Sequence, residues 1–384
     1  MNDTEVIMVR PLLIFLVLQL LLSSCSGIKK SENSYKGHGE ESVSAYDLER
    51  FKPPTLETEL SSKIQSMMDI TRTSLGVISN NGKQLYVNWR VTGTNQVWKI
   101  PGAMRFPKQL TGGEESTYIS SISVDGKWLF LSRDSKGDEY TGIYRQSTNG
   151  GPLEPIIRKK KVKASLQWVS SDNKSIYYRA NDIDPKSFAL YKYDLLTKKS
   201  KLLLDRPGYW FLEEVSEDGL ILVGRNITNT GVEYFSLDRA RTRIQYGINE
   251  NGYYKAHAMN ARTLKKIKTP KFKNAIHIYF GFTSRNGRYT TLGVVTSKSP
   301  RTNFIYDWKT GTYEQWTTAN HPEINTSDFR AENIEYYESH DKVQIPMLVS
   351  RPKKCQIEVC PVIVWFHGGP ESQSFPGFSP TRQL

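Results

Sequence analysis

The sequence predicts a mainly β fold, a β-propeller of six or seven blades followed by the first strands of an α/β domain. Three observations lead there. A turn of the form Ser-x-Asp/Asn-Gly/Asn-Lys/Arg recurs ahead of alternating apolar strands, at Ser79–Lys83, Ser123–Lys127, Ser171–Lys174, Ser216–Gly219 and Ser284–Arg288. The turn positions 82, 126, 173, 219 and 287 step by 44, 47, 46 and 68, so three near-equal steps mark a repeat and the long one marks a divergent unit or insertion around residues 240 to 280. After the last repeat the texture changes, ending in the continuous apolar run PVIVWF at residues 361–366, as a strand buried on both faces would read.

Composition bounds the reading. The chain has 384 residues, of which 24% are charged and 38% hydrophobic, with a mean hydropathy of −0.51. That excludes a disordered or collagen-like chain and a multi-spanning membrane protein. At roughly 150 residues per domain the length holds two or three domains, or one large all-β domain with appendages.

Residues Leu12 to Leu22 read LLIFLVLQLLL, too short to span a bilayer but suited to the hydrophobic region of a signal peptide. The run ends in Leu22-Ser23-Ser24-Cys25, an aliphatic residue and two small residues before a cysteine, which resembles a bacterial lipobox with Cys25 as the lipidated first residue of the mature chain. Asp3 and Glu5 stand where such a leader is usually basic; a start at Met8 would remove them. Residues 1–24 are expected to be a lipoprotein-type signal peptide, and residues 25–60, polar and closed by Pro53-Pro54, a flexible tether. Their expectation is an exported, lipid-anchored protein of the bacterial cell envelope, at the outer membrane or the periplasmic face.

The repeats occupy residues 61–328. Asn-Gly and Asp-Gly are strong hairpin signals because the turn needs positive φ. A hairpin-rich unit of about 45 residues has the size of a four-stranded blade, which buries its faces only against neighbours. The first strands of the units are QLYVNW, WLFLSR, SIYYRA, LILVGR and YTTLGVV, and the second QVWKI, GIYRQ, ALYKYDL, EYFSLD and FIYDWKTG. A β-sandwich of irregular hairpins is the competing architecture.

Residues 329–384 are expected to begin a second domain. Phe329 to Pro352 reads as two strands joined by Ser339-His340-Asp341-Lys342, and PVIVWF runs into His367-Gly368-Gly369-Pro370. Cys355 and Cys360 form an even pair in an exported chain, open to a disulfide or to two free thiols. A zinc site lacks its second ligand pair.

The blade turns, the linker IEYYESHDKVQIPMLVSRPKK, the strand PVIVWF and HGGPESQ together resemble the prolyl oligopeptidase family of serine peptidases, particularly its dipeptidyl aminopeptidase and acylaminoacyl peptidase branches. The resemblance covers roughly residues 60–384, weakly in the blades and specifically from 329 onward. It implies a propeller capping an α/β-hydrolase domain and admitting short peptides, with His367, Gly368 and Gly369 matching the oxyanion-hole segment. The chain departs from the family in having no G-x-S-x-G; Gly377-Phe378-Ser379-Pro380-Thr381 lacks the final glycine. The expectation is therefore the front part of a truncated enzyme with no catalytic triad residue in this chain. The alternative is a non-catalytic propeller resembling the TolB-like binding modules of bacterial envelopes.

The net charge of +13 suggests no nucleic-acid partner once export is considered, and loss of residues 1–24 raises it to +14. Its densest run, Arg158 to Lys163, sits at an inter-strand turn and reads as a solvated loop. Glu114-Glu115 and Glu213-Glu214 are paired acids; the resemblance to the dipeptidyl-peptidase branch implies an amino-terminus binder at Glu213-Glu214, whereas the residues themselves read as surface charge in a blade loop. The six histidines at 38, 257, 277, 321, 340 and 367 show no metal spacing, and no P-loop, dinucleotide fingerprint or calcium loop occurs. No cofactor and no metal are expected. The expected partners are short peptides and, through the anchor, the membrane.

Overall fold

The computed structural model describes residues 43–383 apart from 206, 208–209, 216–220, 226–234, 238–242, 320–323, 327–328, 354, 356 and 370–372. The chain divides into Met1–Thr55 and Leu56–Leu384. In the first, helix α1 (Ala45–Arg50) starts where the Ser44 hydroxyl accepts the Asp47 N–H at 3.1 Å, with Arg50 favourably placed in the last turn. In the second, helix α2 (Thr58–Met68) leads into the sheets. The stretch read as a tether thus carries helix from residue 45. The signal segment and Cys25 lie outside the described residues.

Six antiparallel sheets succeed one another along the described part of the second unit, which is a propeller. Blade 1 comprises Val77–Ile78, Leu85–Trp89, Gln96–Ile100 and Lys108–Gln109, and blade 2 Thr117–Ile122, Trp128–Arg133, Gly142–Ser147 and Glu154–Ile157. Blade 3 comprises Ala164–Val169, Ser175–Ala180, Ala189–Asp194 and Ser200–Leu204, while blade 4 shows two described strands, Trp210–Val215 and Ile221–Arg225. Blade 5 comprises Phe235–Leu237, Arg243–Glu250, Tyr253–Asn260 and Lys266–Ile267, and blade 6 His277–Thr283, Tyr289–Val295, Thr302–Asp307 and Thr312–Gln315.

Burial explains why these strands stack. Leu85, Tyr86 and Val87 are consecutive and all 0% exposed, so both faces of blade 1 are covered. Val77, Tyr86 and Val97 pack against Ile122, Leu129 and Leu131 of blade 2. Phe130, Ile143 and Ile157 of blade 2 pack against Val169, Ile176 and Tyr178 of blade 3. The ring closes where Ile78, Leu85 and Ile100 of blade 1 meet Ile305 and Trp316 of blade 6.

The recurring turn has one hydrogen-bond pattern. In blade 1 the Ser79 hydroxyl donates to Asn81 Oδ1 at 2.7 Å and accepts the Gln84 N–H at 3.0 Å, while Asn81 Oδ1 accepts the Lys83 N–H at 3.0 Å. Blade 2 repeats this with Ser123 and Asp125, and blade 6 with Ser284 and Asn286. The fourth residue has positive φ each time, at Gly82 (69°), Gly126 (72°), Asn173 (59°) and Gly287 (70°). In blade 3 the bonding serine is Ser170, one residue before the Ser171 expected from sequence. The fourth motif, Ser216–Gly219, lies outside the described residues.

Two expectations are corrected. The long step between motifs is a sheet of its own, blade 5, in which Phe235–Leu237 of EYFSLD pairs with Arg243–Glu250 rather than closing blade 4. The run 361–366 is not a strand in this structure: Ile363 is 92% and Phe366 85% exposed. A strand exists only by pairing its backbone groups, and no described segment runs beside this one. The expected hairpin does form, with Asn333–Glu338 paired to Gln344–Val349.

Candidate functional site: the face where the innermost strands begin

The recurring turns gather at one end of the ring, and their second and fourth residues tie it together. Asn80 Nδ2 donates to Val124 O at 2.9 Å, Asn173 Oδ1 accepts the Val124 N–H at 2.7 Å, and Asn80 Oδ1 accepts the Arg285 N–H at 2.8 Å. Arg285 Nη2 also donates to Val169 O at 2.8 Å. Arg285 belongs to blade 6 and Val169 to blade 3, opposite members of the ring order, so this bond crosses its centre. Burial holds the Arg285 guanidinium below its ordinary pKa.

The opposite end, where the innermost strands start, receives the C-terminal segment. Buried His277, first residue of its strand, accepts the Tyr254 N–H at Nδ1 (2.9 Å) and donates from Nε2 to Pro376 O. Those roles define a neutral imidazole, and burial keeps its pKa below the ordinary histidine value. Asn249 Nδ2 donates to Gln373 Oε1 at 2.7 Å, and the Glu332 carboxylate accepts the Gly377 N–H at 3.0 Å while pairing with Arg382. Burial raises the Glu332 pKa, and Arg382 opposes that rise. Phe329 and Phe378, 5.1 Å apart, pack with Met67 and Ile70 at the end of α2. Helix α3 (Pro380–Gln383) follows Phe378 and meets α2. The segments entering and leaving the propeller are thereby joined on one face.

Beside that junction lies a cleft of about 440 Å³ between blades 1, 2 and 6. Its charged lining is Arg72, Arg90 and Arg301, with no carboxylate, and Met68, Ile70 and Tyr118 form an apolar side. Arg301 Nη2 donates to Thr73 O at 3.1 Å, whereas its Nε is buried without a partner. Its stem occupies the space above Gly293, where an added Cβ would come within 2.6 Å of Arg301 Cδ. Burial, then the charge of Arg72, depress the Arg301 pKa to about 10. Sequence reading missed this group because the three arginines share no motif or spacing.

The residues singled out from sequence are not gathered into one site. His367, Gly368 and Gly369 are exposed, and a Cβ at either glycine would meet nothing within 4 Å. Cys355 and Cys360 form a disulfide, with S–S 2.10 Å and Cα–Cα 5.5 Å. Glu115 pairs with Arg133 at 2.8 Å, whose hydrogen bond lowers its pKa. In the basic run, Arg158 pairs with Asp138 and Lys159 with Asp182, each at 2.8 Å. The side chains of Glu213 and Glu214, as well as His38, His321 and Pro370, lie outside the described residues. Among the described residues no group of His, Cys, Asp and Glu could hold a metal, and no helix is long and apolar enough to cross a membrane.

No sequence-family description and no curated protein matches this chain. Solved structures do. A structure from a mechanistic study of two prolyl endopeptidases aligns with a TM-score of 0.54 at 15% identity, covering 80% of this chain and 58% of that one. This chain therefore spans less than two thirds of that structure. A TolB homologue from Agrobacterium tumefaciens aligns at TM-score 0.32 and 14% identity, covering 65% of this chain and 82% of that one. Prolyl oligopeptidase B from Galerina marginata aligns at 0.29 and 12% identity, covering 72% and 38%.

Proposed function

We propose that this chain supplies the peptide-admitting propeller and linker of an exported, lipid-anchored serine peptidase of the prolyl oligopeptidase type, and that these residues by themselves do not cleave peptide bonds. The observation that carries the reading is the junction of α2 with the segment 373–383 on one face of the ring. A propeller whose entering and leaving segments are packed together there can hold a second domain over that face. The prolyl endopeptidase likeness supports the fold of such a cap. The HGG segment and the linker hairpin support the hydrolase connection, and the absence of any G-x-S-x-G removes the nucleophile that an oxyanion hole would serve. The lipobox-like Leu22–Cys25 supports an envelope location, and the blade turns, linker, PVIVWF and HGGPESQ taken together support the dipeptidyl aminopeptidase or acylaminoacyl peptidase branch.

The test uses the full chain with a fluorophosphonate probe, chromogenic aminoacyl and peptidyl substrates, and a titration of short peptides. No labelling, no turnover and saturable binding of peptides are expected. Labelling with turnover would overturn the non-catalytic half of the proposal. A second reading, a TolB-like binding module for envelope proteins, is favoured by the exposure of Val362–Phe366 and His367–Gly369, which enclose no substrate. Such a module would ignore short peptides in the same titration.

A further inference from the structure

Several partly exposed arginines of the propeller face a carboxylate. Arg133 has Glu115, Arg145 has Glu154, Arg158 has Asp138 and Arg288 has Asp307, all at 2.7–2.8 Å. Among the described residues, two arginines are held without one: Arg285 at the turn end, which bonds the Val169 carbonyl across the ring, and Arg301 in the cleft on the strand-start face. Arg301 is half-buried against Gly293, and its one hydrogen bond goes to the neutral carbonyl of Thr73. Among the described residues, no acid pairs with Arg301, Arg72 or Arg90. Arg72 and Arg90 are exposed and Arg301 is only partly so, and their like charges share a cleft in which no described carboxylate neutralises them. An anion entering the cleft supplies the missing partner, and guanidinium groups match the planar fork of a carboxylate.

The remaining walls say which anion. Met68 and Tyr118, 60% and 51% exposed, offer apolar and aromatic surface that a bare inorganic ion cannot use. The volume of about 440 Å³ lies within the range of small-ligand pockets and leaves room for a few residues of peptide. We propose that this cleft is a carboxylate subsite, in which Arg301 and Arg72, with Arg90 at the rim, take the carboxylate of a short peptide while Tyr118, Met68 and Ile70 contact its apolar part. The carboxylate is a C-terminus or an Asp or Glu side chain; the chemistry is shared, and the test separates the two. The inference rests on the peptide-admitting role and adds to it a preference in charge.

The experiment is calorimetric titration of the full chain with Ala-Ala-Tyr as free acid, the same peptide as C-terminal amide, Ala-Asp-Tyr amide, and inorganic phosphate. The free acid is expected to bind at least about tenfold more tightly than its amide, the worth of roughly one charge-assisted hydrogen bond. Ala-Asp-Tyr amide recovering that affinity assigns the site to side-chain carboxylates as well; failing to recover it assigns the site to the C-terminus, and both support the subsite. Arg72→Gln, at an exposed position that holds no backbone, should remove the preference for acid over amide while leaving the melting temperature unchanged. Arg301→Lys should retain part of the preference and Arg301→Gln should lose it. Equal binding of acid and amide, or an unchanged preference in Arg72→Gln, overturns the subsite and leaves the peptide-admitting role standing. Binding of phosphate alone, with no peptide bound, overturns both.

Discussion

Asn303 is the test of how the ring is held shut. It sits on blade 6 with no solvent exposure, and its Nδ2 donates across the seam to Thr73 Oγ1 at 3.0 Å and to Ser74 O, the residues that lead into blade 1. Its backbone bonds to Thr317 Oγ1 and from Trp316 N–H stay within blade 6 and survive a change of side chain. Asn303→Ala therefore deletes two seam bonds, at about 1 kcal/mol each, and strands the Ser74 carbonyl at a further cost of about 1–2 kcal/mol. Removing Asn303 Oδ1, itself buried without a partner, returns about 1 kcal/mol. The net loss is about 2–3 kcal/mol, which at a urea slope of about 3 kcal/mol/M lowers the unfolding midpoint by just under 1 M. The assay is urea unfolding followed by tryptophan fluorescence, with limited proteolysis of the segment before blade 1. Cleavage near residues 71–76 should accelerate in Asn303→Ala but not in Asn88→Ala, because Asn88 ties blade 1 to Thr117 and Ile119 of blade 2 instead. A midpoint shift below about 0.2 M at unchanged slope would refute the assignment of the seam to this side chain.

Two further outcomes are expected. Gly82 has φ 69°, and an added Cβ would fall 2.5 Å from the Tyr289 ring of blade 6, so Gly82→Ala should destabilise by more than the ~1–2 kcal/mol of a left-handed alanine; a melting temperature within 1 °C of the parent would contradict this. His277 is neutral between the Tyr254 N–H and Pro376 O, with Lys255 and Glu332 the charged groups around that docking region, and its folded pKa lies below the ordinary 6.5. The unfolded state then binds more protons, so the stabilisation is fully present above about pH 6.5 and is lost as pH falls below it. Hydrogen exchange of residues 373–379 should be faster at pH 5.5 than at pH 7.5 after correction for intrinsic rates, and identical protection at both values would refute the neutral-imidazole contact.

The turns were legible because their bonds are local. Ser79 reaches Asn81 and Gln84, two and five residues on, and the positive φ at Gly82 demands glycine or asparagine, so the motif spells its own geometry. Where the local signal was ambiguous the reading slipped: two adjacent serines, Ser170 and Ser171, left the third turn one residue out. Blade 5 was read only as a divergence because the motif is absent between its first two strands. PVIVWF looked like a buried strand because composition reports what a segment could bury, while a ladder also requires a neighbour. The arginine cleft was illegible for a different reason. Arg72 and Arg301 are separated by more than two hundred residues of sequence and meet only because blade 6 closes on blade 1.

That closure also makes the two ends of the ring chemically unequal. At the turn end, Asn80 and Asn173 spend their side-chain polar groups on the backbones of Val124 and Arg285, and Arg285 bonds Val169 across the centre. A chain threading from that side would have to break the crossing bond and strand a buried guanidinium, since Arg285 Nε already lacks a partner. At the other end no described carboxylate neutralises the cleft arginines, and the segment 373–383 is held there by His277, Asn249, the Glu332 carboxylate and the Phe329–Phe378 packing. The asymmetry fits the proposal that a ligand enters from the strand-start face. On that proposal a ligand meets the positive charge of Arg72 and Arg90 without breaking the Arg285 bond across the centre, and the Asn303 bonds to Thr73 and Ser74 still hold the seam beside Arg301.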